Sequence, residues 1–234
     1  MARISALMLG VALFCGTASA FAESAPKAEP AARKFRVGLG LGYTVPFGKL
    51  VEGVSLNDWF SDQVPLGLDA GYLVTPHLLL SVYGQYGFMS PRGNQRPCRS
   101  ETKCSGHAFG VGVQVQYHTT TSELLDPWVG FGVGYEQLTH SVLASFYDPT
   151  EQQVRSNGWE QRVNGIELAK LQAGLNFRVA KAVAFGPFLS YSLGEFLTET
   201  QTAFWNDSQT STSGNLDPAL HEWLTVGMKG TVAL

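Results

Sequence analysis

The residues with chemical potential in this chain are few, and most sit where an ordinary strand would carry nothing of note. Asp69, Glu136, Lys170 and Lys229 each interrupt a row of glycines and small or amide-bearing polar residues that faces away from an apolar row, and Arg36 and Arg178 do the same near the ends of two such rows. Charges so placed either close ion pairs in a sheltered interior, where breaking a buried pair costs about 3–5 kcal/mol, or line a narrow water-filled path. The five histidines, His77, His107, His118, His140 and His221, show no metal-ligand spacing. His140 and Ser141 are adjacent, so on a strand they point to opposite faces and do not form a nucleophile and base pair. No catalytic, metal-binding or cofactor-binding residue is expected. Gly38-Leu39-Gly40-Leu41-Gly42 is no dinucleotide fingerprint either, because no helical pattern follows it.

The elements that must position these charges are strands. From Phe35 to Val45, large apolar residues hold the odd positions, while Arg36, three glycines and Thr44 hold the even ones. The pattern returns seven times, over 65–74, 78–89, 108–118, 128–137, 167–179, 183–193 and 221–234. One face of each strand is apolar and the other is nearly empty or amide-rich, as in Val129, Phe131, Val133 and Tyr135 against Gly130, Gly132, Gly134 and Glu136. Each segment suits a tilted membrane crossing of roughly 9 to 11 residues. The expected fold is all-β, an eight-stranded antiparallel up-and-down transmembrane β-barrel spanning 34–234.

An apolar run from Ile4 to Phe14 after Arg3, ending in Ala18-Ser19-Ala20 or Ala20-Phe21-Ala22, reads as a signal peptide over 1–22. A flexible Ala/Pro-rich segment, 23–33, follows. Without the signal, basic residues fall from 16 to 15 against 19 acidic ones, a net charge of −4 that gives no electrostatic reason to expect nucleic acid. Connections alternate long and short, which puts four long loops outside the cell and short turns, with both termini, in the periplasm. On that orientation Tyr43, Tyr86, Phe88, Tyr135 and Tyr191 form an outer aromatic girdle, and Tyr72, Tyr117 and Phe177 an inner one with Trp128. A secreted soluble barrel would turn the apolar face inward. Eight rows of Leu, Val, Phe and Tyr would overfill an interior only just wide enough for side chains.

The motifs Gly38 to Tyr43, Ala70-Gly71-Tyr72 running to Thr75-Pro76-His77, and Tyr83-Gly84-Gln85-Tyr86-Gly87-Phe88 resemble the small bacterial outer-membrane β-barrel domain family that includes outer-membrane proteins A and X. The resemblance runs from about Phe35 to the end. It implies the outer membrane as location, outer-membrane lipid as surroundings, and assembly by the barrel-insertion machinery, which in the family reads a terminal phenylalanine where this chain has Leu234. The chain is expected to act as a monomer.

Glu136 and Lys170, at similar heights on neighbouring strands, are expected to pair, and Asp69 and Lys229 to meet across the glycine row of the first strand. With Arg36, Arg178, Gln85, Gln114, Gln116, Gln172 and Asn176 they form the expected lumen network. Cys98 and Cys104, in an outer loop and an oxidising compartment, read as a disulfide that contributes about 2–3 kcal/mol on a chain-entropy estimate. Arg92, Arg96, Arg99 and Lys103 stand around it against Glu101 alone, as candidate contacts for lipopolysaccharide phosphates or another anionic polymer, or as a solvated loop. The last loop is acidic, with Glu195, Glu199, Asp207 and Asp217, and Phe146, Tyr147, Trp159, Phe204 and Trp205 could pack the loops together or touch a partner. The functional expectation is a non-enzymatic scaffold for surface loops, with a narrow pore as the alternative; modification of lipid A or soluble binding are the remaining readings.

Overall fold

The structure is a computed structural model that describes residues 34–51, 53–91, 102–119, 124–148, 153–205 and 208–234. The signal peptide, the cleavage site and the Ala/Pro-rich segment lie outside these residues. So do Cys98, Arg92, Arg96 and Arg99.

The described chain forms β1 (Phe35–Val51), β2 (Val54–Ser55), a single-turn helix α1 (Leu56–Trp59), β3 (Phe60–Leu73), β4 (Leu78–Pro91), β5 (Thr102–His118), β6 (Leu125–Asp148), β7 (Gln153–Ala180), β8 (Val183–Trp205), β9 (Ser208–Asn215) and β10 (Leu220–Ala233). Every pairing is antiparallel, and β10 pairs with both β1 and β8. The sheet therefore closes into a barrel of eight staves, β1, β3, β4, β5, β6, β7, β8 and β10, which leaves no backbone edge facing lipid.

The staves turn their apolar rows outward. Leu39, Leu41, Leu68, Val82, Phe88, Val113, Val129, Leu171, Leu189 and Val226 are all exposed on the barrel wall. In water such a surface would aggregate, whereas in a bilayer it is solvated. The girdle tyrosines and phenylalanines lie exposed on the same wall. Trp128 does not join them. It is buried to 3 % exposure inside the barrel, because it continues the row of Gly130, Gly132 and Gly134 rather than that of Val129 and Phe131.

The periplasmic turns between β3 and β4 and between β7 and β8 are tight. Between β3 and β4, the Thr75 hydroxyl accepts from the backbone N–H groups of His77 and Leu78 at 3.3 and 3.0 Å. Between β7 and β8, only Lys181 and Ala182 separate the paired Ala180 and Val183.

On the outer side the strands run further than the alternation of the sequence suggests. β6 and β7 stay paired as far as Asp148↔Gln153, and β8 and β9 from Thr198↔Asn215 to Trp205↔Ser208. Much of what reads as third and fourth loop is therefore a sheet projecting beyond the apolar belt. Within it β9 is exposed at all eight positions.

Candidate functional site: the bore and the outer mouth

The glycine rows that look like empty space in the sequence are seats for inward-facing aromatic rings. A Cβ built on Gly112 or Gly134 would stand 2.5 or 2.6 Å from the Tyr83 hydroxyl oxygen, and one on Gly174 would stand 2.5 Å from the Trp128 ring. Phe188 lies in the same way against Gly227, where an added Cβ would stand 2.7 Å from its ring. Three rings thus lie across the bore where the walls carry no side chains.

Between the rings the structure places three charged groups. In the middle, Lys229 Nζ is 2.6 Å from Asp69 Oδ1, and the pair passes directly over Gly38, where an added Cβ would meet Asp69 Oδ1 and Lys229 Cε at 2.6 Å. Gly38 faces Asp69 on one side and Thr231 on the other, so both partners reach over the stave between them. The same ammonium sits 5.1 Å from the Trp128 ring centre.

Toward the outer side, Lys170 does not turn to Glu136. Lys170 Nζ lies 3.5 Å from Glu167 Oε1, 3.3 Å from Gln85 Oε1 and 4.3 Å from the centre of the Tyr83 ring, and the Tyr83 hydroxyl donates to Glu167. The register sets Lys170 opposite Gly132, four residues short of Glu136 on β6, and a bulge brings Glu167 to it. β6 pairs Gly132 with Lys170 but Gly134 with Glu167, so β7 carries one extra residue there. Glu167 and Lys170 consequently face the same side despite their odd spacing, and Glu136 is displaced to Gly165. Glu136 instead pairs with His221 and accepts from Trp223 Nε1 at 3.3 Å. His221, fully buried, stacks on Phe196 with ring centres 4.0 Å apart.

Toward the periplasm, Arg36 reaches across the bore to β5 and β6. Its Nη1 lies 3.4 Å from His118 Nδ1 and 3.8 Å from Asp126 Oδ2, and His118 and Asp126 are themselves 2.8 Å apart. Arg178 stands close enough to feel the Arg36 charge. Gln114, Gln116 and Asn176 are buried in the same interior, with Gln172 and Gln85 half-buried. Gln85, Gln114, Gln172 and both lysines border a central void of about 50 Å³ open to water centres, enough for a few water molecules.

Above Glu136 the interior changes character. Leu50, Leu56, Met89, Leu138, Val163, Phe196 and Trp223 form one buried apolar cluster. Leu50 and Leu56 come from the first outer loop, which folds back into the mouth: Lys49 pairs with Ser55 and Val51 with Val54 before α1. Gly48 and Gly53 make that reversal at φ of 83° and 84°, a conformation that favours glycine. At Gly48 a Cβ would also stand 2.8 Å from the Leu220 carbonyl oxygen.

Outside the mouth the projecting strands carry polar contacts. Tyr135 and Gln137 both donate to Asn164 Oδ1 at 2.8 Å, and Gln161 donates to Glu199 at 2.7 Å. His140 and Trp159 meet edge to face at 5.1 Å, and Trp205 is exposed. Lys103 is exposed at the outer end of β5, and Cys104 is disulfide-bonded, its expected partner Cys98 lying outside the described residues. The side chains of Phe146 and Tyr147 are likewise outside them. Among the described residues no group of three or more His, Cys, Asp or Glu side chains is placed to hold a metal ion.

The spacing sets Tyr83 in the inward row but gives it no role, and it does not single out Trp128, Phe188, His118, Asp126, Glu167 or His221 as parts of the interior. A signal for the rings was present: an aromatic residue in a row otherwise holding glycine and polar residues, opposite glycines on a neighbouring strand. The bulge that turns Glu167 inward leaves no comparable mark.

No protein-family model and no curated protein matches the chain. Solved structures do. A major outer membrane protein from Thermus thermophilus aligns with a TM-score of 0.50 at 15 % identity, over 86 % of this chain and all of that one. Neisserial surface protein A aligns with a TM-score of 0.44 at 13 % identity, over 88 % of this chain and all of that one. Ail, the attachment invasion locus protein of Yersinia pestis, aligns with a TM-score of 0.40 at 12 % identity, over 85 % of this chain and 99 % of that one. The fold is that of the bacterial outer-membrane β-barrels. With its apolar belt facing outward, the chain is an integral outer-membrane barrel.

Proposed function

We propose that this barrel is a non-enzymatic scaffold in the outer membrane, closed along its bore, that holds a polar extracellular sheet for envelope integrity or surface interaction. One observation carries the reading. Side chains occupy the bore from Arg36 to the apolar cluster at the mouth, while β6 to β9 continue past the membrane belt and present exposed polar faces. On this reading the Cys98–Cys104 disulfide fastens the second loop, and Arg92, Arg96, Arg99 and Lys103 meet lipopolysaccharide phosphates or another surface polyanion.

The test is conductance of the refolded barrel in a planar bilayer. The native protein is expected to be silent. A variant with Leu56→Ser and Phe196→Ser in the stopper and Lys170→Ala below it is expected to give resolved openings. Steps from the native protein would instead favour the narrow-pore reading, for which the water-sized voids beside Lys170 and Gln85 are the supporting feature.

A further inference from the structure

Above the apolar stopper, the sheet made by β6 to β9 has two faces of different chemistry. Val163 belongs to the buried cluster at the mouth, so Gln161 and Trp159, at every second position above it on β7, face the barrel axis. Their partners on β8 are Gln201 and Ala203, while Glu199 stands beside Val163 itself. Trp205 follows on the same face, two residues beyond Ala203. The opposite face carries the Arg162–Glu160 ion pair and Ser141.

One carboxylate organises the polar groups of the inner face. Gln161 Nε2 and Gln201 Nε2 both donate to Glu199 Oε1, at 2.7 and 2.5 Å, and Glu199 Oε2 has no partner among the described residues. Each amide is thereby oriented and keeps its carbonyl oxygen and second N–H hydrogen for another group. Beyond this trio the face flattens, since Gln201 pairs with Thr212 and Ala203 with Thr210, all exposed. Trp205 ends the strip and is 65 % exposed. A lone exposed indole means little, but this one shares a face with a fixed set of hydrogen-bonding groups. Four residues, about 13 Å of strand, separate it from Gln201.

A folded protein partner needs an apolar centre to its interface, which this flat strip does not offer, and a polyanion would meet the Glu199 charge. A pyranose with equatorial hydroxyls answers both ends. Its C–H face stacks on an indole, and its adjacent hydroxyls donate to a carboxylate and accept from amides. We infer that the inner face of the projecting sheet, from Glu199 to Trp205, binds an uncharged oligosaccharide of β-1,4-linked pyranoses. One ring donates to Glu199 Oε2 and accepts from Gln161 or Gln201, and a later ring covers Trp205. The distance between the two ends requires more than one ring, and the β linkage keeps the chain extended and flat, as the strip is. This deepens the scaffold reading and rests on it only for the place of the sheet outside the cell.

The experiment is calorimetric titration of the refolded barrel in phosphatidylcholine nanodiscs, which carry no sugar, with cellotetraose and with chitotetraose. Saturable binding of at least one tetrasaccharide is expected, and excess heparin hexasaccharide is not expected to displace it. Trp205→Ala should weaken binding at least tenfold, while Trp205→Tyr, which keeps a flat ring, should stay within about threefold of the native barrel. Glu199→Gln, which keeps the shape and loses the charge, should weaken it at least fivefold. Thr200→Ala, on the opposite face, should change nothing, and heat-modifiable migration confirms that each variant is folded. No saturation with either tetrasaccharide overturns the inference, as does displacement by heparin or native affinity in Trp205→Ala. Conductance steps alongside intact sugar binding would sink the closed scaffold and leave this inference standing; a silent barrel that binds neither sugar would do the reverse.

Discussion

The membrane belt and the outer mouth of this barrel are built from the same staves with opposite polarity. Along β6, Val129, Phe131, Val133 and Tyr135 face out while Gly130, Gly132, Gly134 and Glu136 face in; above that level Gln137 and Ser141 hold the outward row, with Thr139 buried between them, and Leu138, His140 and Val142 hold the inward one. The strand does not end where its pattern breaks. Pairing with β7 continues for twelve more residues of β6, from Gln137 to Asp148. The reversal tells where lipid stops: below it the solvent outside is oil and the interior must be polar or filled, and above it water is outside and the interior packs as in a soluble protein.

The two regions should therefore fail differently. The largest effect is expected in the belt. Asp69→Ala leaves Lys229 buried without its carboxylate, and a loss of about 3–5 kcal/mol is expected in urea unfolding of the lipid-embedded barrel. Adding Lys229→Ala should recover part of the loss, because no charge is then stranded. A double variant no better than the single one would mean that the pair is not what Asp69 supports.

A smaller loss, about 3 kcal/mol, is expected at the mouth from Leu56→Ala, since Leu56 is wholly buried among Leu50, Leu138 and Phe196. Hydrogen exchange should localise it. Faster exchange at 49–59 and at the neighbouring ends of β1 and β10, with the belt unchanged, separates the two regions; equal acceleration along β1 would join them into one cooperative unit.

The smallest effect is a pH dependence confined to the upper region. Burial holds the His140 imidazole below its ordinary range. The unfolded segment therefore takes up its proton first. Stability from this packing is complete above the ordinary histidine range and declines as pH falls below about 6.5. Protection from exchange in the upper part of β6 and β7, after correction for the intrinsic pH dependence of amide exchange, should fall from pH 7.5 to 5.5, and His140→Asn should remove that change. The same loss of protection in the variant would assign it to other groups.

Much of the belt was legible in the sequence because lipid imposes a strict period. A stave must show apolar residues at every second position, so the eight segments, their outward faces and the girdle residues other than Trp128 could be read from spacing alone. The interior was legible by composition but not by partner. Asp69 and Lys229 could be matched because each lies beside the glycine row of β1 in regular register. Glu136 and Lys170 could not, because the register sets Lys170 opposite Gly132, four residues short of Glu136, and one extra residue in β7 turns Glu167 inward to meet it. The upper strands were hidden for another reason. With Ser, Thr, Gln and Asn able to face water on either side, β9 and the outer ends of β6 to β8 carry no alternation to detect.

The crossing over Gly38 has a consequence for inheritance. A side chain added at that one position would collide with both Asp69 and Lys229, which stand far apart in the sequence and on different staves. A side chain at Gly38 displaces the pair, and loss of either partner strands the other, so the three sites are coupled and drift as a set. The Ser/Thr-rich tip at β9, paired among the described residues with β8 alone and exposed throughout, is under no such lock. A lineage carrying this barrel can therefore rewrite the surface that its surroundings meet while the crossing at Gly38 stays fixed.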